Sequence, residues 1–154
     1  MILAENKKGK FDYQILKTWE AGIVLAGYEV KAIRNKQISL KEAYVTVNIN
    51  PQTKKLQANL INCHITLYKK SGPMPDYSPT RTRRLLLHQK EISSIYGQIQ
   101  PKGLTLIPLK VYTKGTKIKL EIGLGKGKKL FDKKEVIKKR DLDREIKREL
   151  KNKS

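Results

Sequence analysis

Leu104-Thr-Leu-Ile-Pro-Leu-Lys-Val-Tyr112 and, beyond residues 113–117, Ile118-Lys-Leu-Glu-Ile122 decide the reading of this chain. In the second stretch Ile118, Leu120 and Ile122 alternate with Lys119 and Glu121, the period of a strand with one face in a core. Lys114-Gly115 between the two stretches supplies a turn, so together they form a hairpin. Pro108 has no N–H to donate, which makes its strand an edge or places a bulge in it.

The same alternation recurs upstream. Phe11, Tyr13 and Ile15 form one apolar row, and Trp19, Ala21, Ile23 and Leu25 continue it. Val45, Val47 and Ile49 stop at Asn50-Pro51, and Leu56, Ala58 and Leu60 return, a second hairpin. Two helices are expected among the strands. Residues 27–35 place Val30 and Ile33 on one face. Residues 80–99 carry Leu85, Ile92, Ile95 and Ile99 as a buried stripe, ending near Gly97 and Pro101-Lys-Gly103. Between them, residues 69–79 contain Gly72, Pro73, Pro75 and Pro79 and are expected to lack regular structure. About six short strands with flanking helices predict a mainly β fold, a closed barrel of the oligonucleotide-binding (OB) type, because closure removes exposed sheet edges. The barrel is assigned residues 1–124, and residues 125–154 a basic C-terminal tail.

Charge points to the partner. The 154 residues include 34 Lys plus Arg against 14 Asp plus Glu, a net +20. A chain this basic repels itself, and neutralising nucleic-acid phosphates relieves the repulsion while releasing counterions. The longest apolar run, residues 21–27, is far short of a bilayer span. No export signal opens the chain, and the single cysteine, Cys63, suits a reducing compartment. A cytoplasmic monomer without membrane contact is expected.

Residues 126–154 carry 13 basic and 6 acidic residues. Asp132 with Glu135 fits a capping box, and Glu135–Lys139, Asp143–Lys147 and Glu149–Lys153 are favourable helical pairs. The apolar stripe is thin, so the tail is expected to be disordered alone and helical against a partner.

The sequence carries no legible catalytic constellation. Gly123-Leu-Gly-Lys-Gly-Lys-Lys129 combines glycines that admit phosphate with lysines that attract it, or serves as a hinge after the last strand; it lacks the Ser or Thr of an NTP-binding loop. Arg81, Arg83 and Arg84 open the expected long helix, an unfavourable place for cations unless they have a use. His64 and His88 have no ligand-spaced companions, and Cys63 beside His64 points to the opposite strand face. No catalytic residue, metal site or cofactor is expected. An RNA-processing nuclease would need clustered carboxylates. A cold-shock-like single-strand binder would need stacking platforms, and aromatics are only 6% of the chain.

Read together, several stretches resemble the small protein B (SmpB) family of transfer-messenger RNA (tmRNA) partners. They are Asn6-Lys-Lys8, Trp19-Glu-Ala-Gly-Ile-Val-Leu-Ala-Gly27, Glu29-Val-Lys-Ala-Ile-Arg34, Thr80-Arg-Thr-Arg-Arg-Leu-Leu-Leu-His88, Lys102-Gly-Leu-Thr-Leu-Ile-Pro-Leu109, the Gly123–Lys129 run and Asp132-Lys-Lys134. The order and spacing of the set carry the resemblance. It implies an RNA-binding barrel that holds the tRNA-like domain of tmRNA and delivers it to the ribosomal A site in trans-translation, the rescue of stalled ribosomes. It implies RNA contacts at Asn6, Glu29, Leu86 and Lys119, and ribosomal contacts along the Gly123–Lys129 run; Lys7, Lys8, Arg81, Arg83, Lys126, Lys128 and Lys129 complete the expected RNA-binding set. Phe131, Asp132, Lys133 and Lys134 would meet small-subunit ribosomal RNA at the decoding centre, with the tail in the empty message channel. Elongation factor Tu and alanyl-tRNA synthetase would be indirect partners through tmRNA. Tyr28, Ser78, Gly125 and Lys134 depart from the family's usual residues.

Overall fold

A computed structural model of the chain describes residues 1–99 and 104–128. Its nine strands and three α-helices run in chain order as β1 (Ile2–Glu5), α1 (Lys7–Asp12), β2 (Tyr13–Ile23), α2 (Gly27–Arg34), β3 (Ile38–Ser39), β4 (Tyr44–Ile49), β5 (Leu56–Ile61), β6 (His64–Ile65), β7 (Arg83–Leu86), α3 (Gln89–Ile99), β8 (Leu104–Lys114) and β9 (Lys117–Gly127). Seven strands form one sheet in the order β1-β8-β9-β2-β7-β5-β4, with every pairing antiparallel, and β3 pairs with β6 separately.

Both expected hairpins form, β4 with β5 and β8 with β9. Gly115 turns the second at φ +61°, a left-handed conformation that glycine adopts without steric cost. The β8–β9 register shifts between Pro108 and Lys110, so the proline sits at a bulge in an interior strand.

The closed barrel is not what pairing builds. β1 and β4 are the two ends of the sheet, and β4 comes alongside β8 without a ladder. Part of the β8 edge that closure would require is already used: β1 pairs with residues 110–112, and Asn6 takes the carbonyls of Pro108 and Leu109.

Residues 80–99 are not one helix. Arg83–Leu86 is strand β7, inserted between β2 and β5, and only Gln89–Ile99 is helical. Leu85 points into the core from the strand, while Ile92 and Ile95 bury the helix. The arginines therefore do not oppose a helix dipole. Phe11 and Asp12 belong to α1, and β2 starts at Tyr13, its register against β9 shifting between Ile15 and Lys17. A 3-10 turn, Lys69–Ser71, opens the segment expected to lack regular structure.

One apolar layer lines the inner face of the sheet: Trp19 and Ala21 from β2, Leu120 and Ile122 from β9, Leu85 from β7, and Ala58 and Leu60 from β5, with Ile33 of α2 and Ile95 of α3 packed on it. β9 continues through Gly127, so Gly123 and Gly125 are sheet, not hinge. A Cβ on Gly123 would stand 2.8 Å from Leu109 Cδ1, and one on Gly125 2.7 Å from Ile107 Cδ1. Side chains occupy the space those glycines leave.

Candidate nucleic-acid interface

Period-2 alternation that buries Trp19 and Ala21 turns Glu20 and Gly22 to the outer face. Gly22 pairs with Leu86 of β7 on one side and Lys119 of β9 on the other. Lys119 pairs in turn with Tyr112 of β8. Leu86, Gly22, Lys119 and Tyr112 therefore form a row across four strands. Leu86 is 52% exposed, high for a leucine in a central strand. Glu20, Leu86, Leu87, His88, Glu91 and Lys119 line one open groove.

Glu20 is held in that groove. Its Oε2 accepts from the Tyr112 hydroxyl, and its Oε1 lies 3.2 Å from Lys114 Nζ. The Tyr112 hydrogen bond first, then that of Lys114, keeps the carboxyl below its ordinary range. Burial and the same bond push the Tyr112 phenol up. The site thus offers a fixed carboxylate acceptor, an apolar surface and a cation within one groove, the means to hold a base edge, a base face and a phosphate.

Glu29 occupies a different environment from the one the resemblance implied. It is fully buried at the third position of α2, where its Oε1 accepts from the Ala26 N–H at 2.9 Å. Arg81 Nε reaches its Oε2 at 3.2 Å and Arg81 Nη2 its Oε1; Arg83 Nε donates to Oε2 at 2.7 Å. Arg83 is also fully buried, and its Nη1 donates to the Cys63 carbonyl at 2.7 Å and to the Arg81 carbonyl at 3.1 Å. Its Nη2 donates to the Pro79 carbonyl at 3.0 Å. Burial is the largest single influence on Glu29 and opposes ionisation, yet the bonds from Arg81, Ala26 and Arg83 together hold its carboxyl below the usual range. Glu29 and Arg83 fasten α2 to the start of β7, and both side chains are fully buried. Of the two glutamates, Glu20 is the one that shares the groove with Leu86 and Lys119. Its outward place in the Trp19–Ala21 alternation was the signal that could have marked it.

A second cluster surrounds α1. Asn6 caps this short helix: its Oδ1 accepts from the Gly9 N–H at 2.9 Å and its Nδ2 donates to the Pro108 carbonyl at 2.9 Å. Both functional atoms of Asn6 are thereby used in placing Lys7 and Lys8, which are exposed. Lys7, Lys8, Lys10, Phe11 and Lys128 line one concavity, with Lys128 Nζ 6.0 Å from the centre of the Phe11 ring. Lys126 stands exposed near the end of β9. Lys129, Phe131, Asp132, Lys133 and Lys134 lie outside the described residues.

Among the described residues, no group of three or more His, Cys, Asp or Glu is placed to hold a metal ion, and no helix is long and apolar enough to cross a membrane. Cys63 is buried as a free thiol, and His64 is exposed.

The family model for SmpB protein matches residues 3–152. The chain belongs to the SmpB family. The SsrA-binding protein of Mesoplasma florum is 47% identical over 150 residues, covering 97% of each chain. That of Halalkalibacterium halodurans is 46% identical over 153 residues, covering 99% of this chain and 95% of the relative. A family member in a solved structure described as "tmRNA-SmpB: a journey to the center of the bacterial ribosome" superposes with a TM-score of 0.64 at 38% identity, covering 82% of this chain and 84% of that one.

Proposed function

We propose that this protein binds tmRNA, known also as SsrA, and carries it to stalled ribosomes for trans-translation, acting as a binder and not a catalyst. The observation that carries the reading is the outer row Leu86–Gly22–Lys119 with Glu20 beside it, in a chain of the SmpB family. This row takes the tRNA-like domain. The exposed lysines Lys7, Lys8 and Lys126, with Lys128 beside them, contribute phosphate contacts. Arg81, with its side chain 35% exposed, is available to RNA in part, whereas Glu29 and Arg83 act by holding the scaffold. The residues beyond β9, 129–154, serve as the ribosome-directed part, with Phe131, Asp132, Lys133 and Lys134 at the decoding centre. Elongation factor Tu and alanyl-tRNA synthetase act on the same RNA without touching this groove.

Titration of the labelled tRNA-like domain across salt concentrations tests the binding. With about 6–10 phosphate contacts, affinity should fall roughly 10³–10⁵-fold between about 50 and 200 mM salt. A flat dependence, or equal affinity for an unrelated RNA of the same length, would reject the assignment. Deleting residues after Leu130 should leave RNA binding intact and abolish tagging on stalled ribosomes. Full tagging by the truncated chain would remove the ribosomal role of the tail.

A further inference from the structure

Arg81 faces a cleft that none of the sites above uses. The cleft, about 470 Å³, is lined by Tyr28 at the start of α2, by Met74, Asp76, Tyr77 and Ser78 of the proline-rich segment, and by Arg81 itself. Its aromatic wall is fixed. Tyr28 and Tyr77 meet edge-to-face with centroids 5.4 Å apart, and the Tyr77 hydroxyl donates to the Ile65 carbonyl at 2.7 Å.

The electrostatics are uneven. Two guanidiniums, Arg81 and Arg83, share the single carboxylate of Glu29. Arg83 is fully buried, with donors directed from all three of its nitrogens. Arg81 commits Nε and Nη2 to Glu29, while among the described residues its Nη1 donates to none, and its side chain is 35% exposed. The surplus positive charge is therefore presented at the cleft, on a guanidinium already oriented by its other two nitrogens. If Arg81 Nη1 takes an anion, Glu29 keeps all its present partners. Asp76, the one carboxylate on the rim, is exposed and has no ion pair among the described residues.

A cation with a free, directed donor, a fixed aromatic wall and a carboxylate acceptor on the rim match the phosphate, the base face and the base amino edge of a nucleotide. We propose that this cleft is a nucleotide subsite of the bound RNA, separate from the Leu86–Lys119 groove: a phosphate on Arg81 Nη1, and an unstacked base against Tyr28 with its amino group toward Asp76. This rests on the RNA-binding reading above.

The test titrates the tRNA-like domain of tmRNA against the full chain across a range of salt, for the wild type, Arg81→Gln, Tyr28→Ala and Tyr28→Phe, with urea unfolding in parallel. Arg81→Gln keeps a donor toward Glu29 and removes the charge, and should shrink the log–log salt slope by about 1. Tyr28→Ala should weaken binding about 5- to 150-fold with the slope unchanged, the range for loss of one stacked base, and Tyr28→Phe should restore it. Should Arg81→Gln fail to fold, the two Tyr28 variants decide the matter. Wild-type slope in Arg81→Gln, or wild-type affinity in Tyr28→Ala, overturns the subsite and leaves the groove standing. Failure of the wild type itself to bind overturns the RNA reading instead.

Discussion

Leu86 and Lys119 lie on strands that do not pair with each other, yet both are cross-strand neighbours of Gly22, which stands between them in the row. A Cβ placed on Gly22 would stand 3.3 Å from the Leu86 Cβ. Any side chain at this position would therefore crowd Leu86.

Gly22→Val should push Leu86 aside and place a side chain in the row between it and Lys119. RNA affinity is expected to fall by about 1–3 kcal/mol, the scale of one good base contact. Filter binding measured beside thermal unfolding checks this, since the effect should far exceed any change in stability. Equal binding by Gly22→Val would show that the row is not the contact surface.

The two glutamates should separate cleanly. Glu29→Gln leaves the buried Arg83 guanidinium without its counter-charge and should cost roughly 3–5 kcal/mol of folding stability. Glu20→Gln should leave the urea midpoint nearly unchanged and weaken specific RNA binding. A reversed pattern, with Glu29→Gln stable but defective in RNA binding, would return Glu29 to the interface.

Acid should reveal the same buried pair. The carboxyl of Glu29 is held below its ordinary value of about 4.3. Its contribution to stability is therefore complete above that value and lost as pH falls through the lower folded-state value. Urea midpoints measured from neutral pH downward should drop below about pH 4 more steeply for the wild type than for Glu29→Gln. Parallel curves would mean that the pair does not contribute through ionisation.

Cys63 should be inert in the folded protein. Burial pushes its thiol up to about 11, and its Sγ lies 3.5 Å from the Ser39 carbonyl. At pH 8 a disulfide reagent should label it slowly in buffer and rapidly in denaturant. Fast labelling without denaturant would show that the α2–β7 junction opens readily.

The hairpins were legible because their signal is local: Val45, Val47 and Ile49 alternate, turn and meet Leu56, Ala58 and Leu60 within a short span. β7 was not. Leu85, Ile92, Ile95 and Ile99 fit a helical spacing, and what makes Arg83–Leu86 a strand is the pair of edges offered by β2 and β5. The same distance hid the role of Glu29, whose arginine partners lie 52 and 54 residues away. Nothing around Glu29 in the chain distinguishes a carboxylate facing RNA from one enclosed by arginines. The glycines of β9 misled for a related reason: a run of small residues reads as freedom until Leu109 and Ile107 are seen to fill the space beside them.

The central place of β2 has a consequence during synthesis. Its two neighbours are β7 and β9, both encoded well after it, and the last of its pairing partners, Gly127, comes roughly a hundred residues after Ile23. At about 5–20 residues per second, the strand bearing Trp19 and Ala21 emerges roughly 5–20 s before its ladder can be completed. Both edges of β2 lack their native partners until β7 follows at Arg83–Leu86, and the β9 edge stays open to water, to chaperones or to other nascent chains for the rest of the interval. A messenger truncated before the codons for Lys117–Gly127 would leave a product whose longest early strand never acquires its β9 neighbour.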